Sequence, residues 1–131
     1  MNGLSAWFFG SALVYGLLGL VLGNVMAASG DHSQMPTHAH ILVIGWVSFA
    51  IFGMFYHLFA QRAGTLLARL HFWLAQVSLV ALAIGLFLLY SGRIAIGEPI
   101  AAVASLAYLL SMVLFALVAL PVVRGGRSAS S

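Results

Sequence analysis

Five histidines carry most of the chemistry that this sequence offers, and three of them fall in one stretch, Met35 to Gln61. It opens Met-Pro-Thr-His-Ala-His and closes Phe-Tyr-His-Leu-Phe-Ala-Gln, so that His38 and His40 stand at the entry and His57 near the exit of an apolar run. His32 precedes the run and His71 follows it. Imidazole is costly in hydrocarbon unless it is partnered or bound, which makes such histidines functional candidates. The chemistry they suit is ligation of a metal ion or of a haem. The chain has no cysteine, so disulfides, iron–sulfur clusters and thiolate haem ligation are excluded, and His and Met remain as the soft ligands.

Helix geometry sorts the candidates. His38 and His57 are 19 residues apart, about 28 Å along a helix axis, and cannot share one ion. His38 and His40 point about 200° apart on a regular helix, so they serve different partners unless the helix begins irregularly after Pro36. The face of His38 continues with Gly45, Phe49, Phe52 and Tyr56, a glycine gap followed by aromatics that suits a flat macrocycle. The face of His40 continues with Ile44, Val47, Ile51, Met54 and Leu58, an aliphatic stripe that suits lipid. His38 is therefore the better ligand and His40 an interfacial or supporting group.

His57 and His71 make a second constellation. One stands just before the second apolar run ends and the other just after the third begins, so a hairpin brings them to similar depth. They are expected to bind a metal or a second haem together, or else to be partnered polar side chains that join helices. The outer segment, with His32, Met35, His38 and His40, also holds ligands that suit copper. Its spacing matches no strict metal motif, and the competing reading is a solvated loop.

The elements that must position these groups follow from composition. With 63% hydrophobic and 5% charged residues, the chain lacks the polar surface of a soluble globule, in which about 25% of residues are charged. An all-α integral membrane protein is expected, a four-helix antiparallel bundle forming one transmembrane domain over 1–131. Its spans are read as Leu4 to Ala28, Thr37 to Ala60, Leu67 to Tyr90 and Ile100 to Val123, each longer than the ~20 residues that cross a bilayer. Ser29-Gly30-Asp31, Ala63-Gly64-Thr65 and Ser91-Gly92-Arg93, the last followed by Gly97-Glu98-Pro99, are read as turns. The first run far exceeds a signal-peptide core of ~7 to 15 residues and has no basic residue before it. Its Gly16, Gly19 and Gly23 read as a packing surface.

Four arginines, Arg62, Arg69, Arg124 and Arg127, fall on one side of such a bundle; Asp31, Arg93 and Glu98 fall on the other. That asymmetry makes the first side cytoplasmic, with both termini inside and His32, His38 and His40 near the outer face of a bacterial inner membrane. The sequence pI of about 10.0 then reflects topology and gives no reason to expect a nucleic-acid partner.

Thr37-His38-Ala39-His40-Ile41-Leu42-Val43-Ile44-Gly45-Trp46, running on to Phe52-Gly53-Met54-Phe55-Tyr56, resembles the second helix of the heme-copper oxidase large-subunit superfamily, which includes nitric-oxide reductases and the NnrS family. Leu70-His71-Phe72-Trp73-Leu74 resembles the start of that family's third helix. The likeness covers about the first four helices of a much longer subunit. It implies that His38 matches the axial histidine of a low-spin haem near the outer face. The helices that supply the copper ligands, the active-site haem ligand and the partner axial histidine have no counterpart here, so oxygen or nitric-oxide reduction is not implied, and no acid/base pair or nucleophile points to another enzyme.

The expected function is thus a membrane protein that binds b-type haem, for electron transfer or for gas or haem sensing, with a redox partner and a homo-oligomeric state that supplies the second axial ligand. The alternatives are a copper-handling protein that uses His32, Met35, His38 and His40, and a small structural subunit of a larger membrane complex.

Overall fold

A computed structural model of the chain describes residues 1–128. Four long helices account for nearly all of it: α1 (Leu4–Ser29), α2 (Met35–Leu58), α3 (Leu66–Tyr90) and α4 (Ile94–Ser128). A single helical turn, Ala60–Ala63, lies between α2 and α3. There is no strand among the described residues. All four helices are long and apolar enough to cross a membrane.

Helix ends follow local chemistry. Gly30 closes α1 in the left-handed region, φ 73°, with its N–H on the Met26 carbonyl, and Gly92 does the same after α3 at φ 88°. Thr65 caps α3 by accepting the Ala68 N–H at 3.2 Å. The expected turn at Gly97-Glu98-Pro99 is instead helical, because α4 begins directly after Arg93. Pro99 removes one backbone bond, to the carbonyl of Ala95, close to the exposed start of the helix, where the loss is small. In return Gly97 lies against Leu89, and Gly85 against Ala101, where an added methyl on Gly85 would stand 2.6 Å from the Ala101 nitrogen. This contact of small residues joins α3 and α4 over a core of Leu82, Leu86, Ala101 and Ala104.

α2 is not a uniform α-helix. Ile41–Val47 forms a π-helical stretch in its middle, which widens the turn and loosens its carbonyls. Two hydroxyls occupy them: Ser48 Oγ donates to the Val43 carbonyl at 2.9 Å, and Tyr108 of α4 donates to the Ile44 carbonyl at 3.0 Å. The regular wheel that aligned His38 with Gly45 does not run through this stretch.

The α1–α2 contact is a glycine seam. Gly16 receives the Trp46 ring, Gly19 receives Leu42 and Gly23 receives the His38 ring; in return Gly45 and Gly53 of α2 receive Tyr15 and Phe9. At the other contact of α2, Gln34 donates to the Phe87 carbonyl and to Ser91 Oγ at 3.1 and 3.0 Å, and accepts from Thr37 at 2.7 Å. Two polar bonds thus tie the start of α2 to the end of α3, and the third, from Thr37, holds the Gln34 amide in place.

Candidate functional site

His38 is half-buried, with its ring over Gly23 and Nδ1 at 2.8 Å from the Gly19 carbonyl oxygen. A carbonyl only accepts, so Nδ1 carries a proton, and in the neutral ring Nε2 then keeps its lone pair. This is the arrangement by which proteins fix the tautomer of a ligating imidazole. His32 and His40 follow the same rule, with Nδ1 on the Gly30 carbonyl at 3.1 Å and on the Pro36 carbonyl at 2.7 Å. Both are exposed, however, and their bonds are local, whereas that of His38 crosses between helices. Met35 is also exposed, next to Pro36.

The side chains expected beside His38 lie elsewhere. Gly45, Phe49, Phe52 and Tyr56 are all buried, turned into the bundle. The gap over Gly45 is filled by Tyr15, and an added methyl there would stand 2.9 Å from the Tyr15 Cβ. A macrocycle has no room on that face. Space opens instead one turn from His38 along the glycine seam, in a groove of about 490 Å³ lined by Leu13, Gly16, Leu17, Leu20, Leu42 and Trp46. Its size is within the range of cofactor pockets. Of the aliphatic residues in line with His40, Val47, Ile51, Met54 and Leu58 are exposed along the outside of α2, whereas Ile44 is half-buried against the core.

The second constellation forms around His71, with a different partner from the one expected. His57 is exposed at the end of α2, while His71 is fully enclosed, and the neighbour of its Nδ1 is the hydroxyl of Tyr56 at 3.0 Å. The reason is rotational: adjacent residues on a helix point about 100° apart, and the packing that buries Tyr56 turns His57 outward. Rings from α1, α2 and α4 enclose the pair. Phe8 of α1 lies 4.9 Å from the His71 ring and stacks on Tyr56 at 5.5 Å; Phe52 of α2 meets His71 edge-on at 4.6 Å; Phe115 of α4 lies at 5.2 Å. Nε2 of His71 is buried without a hydrogen-bond partner. Among the described residues no three His, Cys, Asp or Glu side chains come together as a metal site.

Spacing alone does not reveal Phe8, Tyr15, Tyr108 or Phe115 as neighbours of these groups, because each comes from another helix. The carbonyl of Gly19 has no signature in the sequence at all. No family model, no curated protein and no solved structure matches this chain.

Proposed function

We propose that the chain is an integral membrane protein, an antiparallel four-helix bundle of a bacterial inner membrane with both termini cytoplasmic, that binds b-type haem through His38. Electron transfer, or sensing of a gas or of haem itself, is its task. The observation that carries this reading is the bond from Nδ1 of His38 to the Gly19 carbonyl, which presents Nε2 as a ligand. Contacts support the antiparallel course: Phe8 near the start of α1 meets Tyr56 near the end of α2, and Gly23 near the end of α1 meets His38 near the start of α2. The arginine asymmetry supports the orientation.

His38 would hold the iron, and Gly16, Leu17, Leu20, Leu42 and Trp46 would give it an apolar wall. Bound there, the haem would supply one-electron redox chemistry or a gas-binding position. The residues themselves orient the imidazole and exclude water. The groove is open on the outside of α1 and α2, which favours a homo-oligomer in which a second copy would cover it and supply a further ligand.

The deciding experiment is a pyridine haemochrome assay on the purified protein, with His38→Ala and His40→Ala beside it. Haem in the wild type, lost in His38→Ala and largely kept in His40→Ala, supports the reading; a haem-free protein, or equal loss in both variants, overturns it. Copper by elemental analysis in a haem-free protein would instead favour ligation by His32, Met35, His38 and His40, a rival supported by the free Nε2 atoms of three outer histidines. Recovery only as part of a larger complex would favour a structural subunit.

A further inference from the structure

We propose that Tyr56 and His71 form a proton-coupled, oxidisable pair, with Tyr56 as the electron donor and His71 Nδ1 as its proton acceptor. The site lies outside the His38 seam, and the inference goes beyond the haem reading and does not depend on it.

Counting hydrogen-bond groups fixes the direction of the bond. If Nδ1 donated to the phenol oxygen, the phenol hydrogen and the Nε2 lone pair would both be left unsatisfied in a fully enclosed site. If the phenol donates to Nδ1, only one N–H remains, on Nε2. An N–H can rest on an aromatic face, and the rings of Phe8, Phe52 and Phe115 surround it. The second arrangement leaves fewer costly orphans and is the one assigned here.

That arrangement suits one particular chemistry. Removing an electron from a phenol makes its O–H strongly acidic, and in an apolar core the proton needs an immediate acceptor. Tyr56 has one at 3.0 Å. On oxidation the O–H bond of Tyr56 breaks, an N–H bond forms at Nδ1 of His71, and the products are a neutral tyrosyl radical and an imidazolium. Burial in the apolar cage disfavours that cation, and the aromatic rings around the imidazole offset part of the cost.

The electron has a route out. Phe8 stacks on Tyr56 at 5.5 Å with the planes 15° apart, Phe72 lies 4.9 Å from Phe8, and Phe72 contacts Trp7 at 5.7 Å and Trp73 at 5.2 Å. Trp7 and Trp73 are more than half exposed at the outside of the bundle. A one-electron, metal-centred oxidant that takes an electron from either indole would have it replaced by Tyr56. Reduction of the radical returns the proton from Nδ1 to the phenol oxygen, so the pair can cycle. The enclosure by four helices keeps other hydrogen donors from the radical.

The test uses the full-length protein in detergent, oxidised by flash-quench with a photogenerated ruthenium(III) polypyridyl complex and trapped for electron paramagnetic resonance. A neutral tyrosyl signal is expected in the wild type, lost in Tyr56→Phe although Tyr15, Tyr90 and Tyr108 remain. In His71→Phe its yield and lifetime should fall. In wild-type protein with isotope-labelled histidine, which needs no variant to fold, the radical should couple to a histidine nitrogen. A tryptophan radical only, a tyrosyl signal unchanged in Tyr56→Phe, or the absence of histidine coupling would each overturn the proposal. The readout requires no haem, so its failure and that of the His38 reading are separately visible.

Discussion

The carbonyl oxygen of Gly19 lies 2.8 Å from Nδ1 of His38, a bond between two helices that Gly23 makes possible by carrying no side chain under the ring. It links packing to chemistry, because the glycines that let α1 and α2 approach also set the tautomer and direction of the imidazole.

Gly23→Ala should therefore act on ligand binding through position alone. Its new methyl would stand 2.8 Å from Cε1 of His38, forcing the ring off the Gly19 carbonyl, and loss of such a supporting bond commonly costs about 10–100-fold in affinity. Gly10→Ala, where an added methyl meets nothing within 4 Å, should bind haem as the wild type does. Titration of both purified variants with haem, followed by the Soret band, checks this.

Topology gives a second outcome. Reporter fusions after Gly64 and at the C-terminus should read cytoplasmic, and fusions at Ser33 and Gly92 should read outside. The reverse pattern would put His38 at the inner face.

The α3–α4 contact should be the least tolerant of added volume. Gly85→Val presses on the backbone of Ala101, and overpacking of this kind typically costs about 1–3 kcal/mol. In lipid there is no hydrophobic drive to hold the pair together against that strain, since association rests on close packing. A lower midpoint in detergent-denaturation curves is expected.

Gln34→Leu removes the two bonds to α3 and strands the Thr37 hydroxyl. A cost of about 1–3 kcal/mol follows from leaving a buried polar group unpaired. Faster hydrogen exchange at the start of α2 and the end of α3 would report it.

Asp31 gives the sign of an acid effect outside the long apolar helices. The Ser33 backbone N–H, 2.9 Å from Oδ1, holds its carboxyl below the usual carboxylate range. A carboxylate depressed in the folded state stabilises at pH above its unfolded value of about 3.9 and loses that contribution as pH falls through the folded value. The loop between α1 and α2 should therefore loosen only in acid, and Asp31→Ala should remove that dependence, as read by amide exchange at Ser33.

Four helices of membrane-crossing length were legible in the sequence because that property is local: a long apolar run satisfies its own backbone bonds whatever its neighbours are. The first three lie within two residues of the apolar runs read from composition. Gly97-Glu98-Pro99 misled because turn residues bend a chain only when no neighbour pulls it straight, and the contact of Gly97 with Leu89 belongs to two helices. Gly19 and Gly23 could be read as places of close approach, but not that His38 would fill one of them. The rotation of each helix was decided by the tertiary structure. Tyr15 fills the gap at Gly45, Tyr108 caps a π turn that no wheel anticipates, and Tyr56, not His57, meets His71. A rotation of one residue exchanges a buried side chain for an exposed one, and only the joint packing of all four helices fixes it.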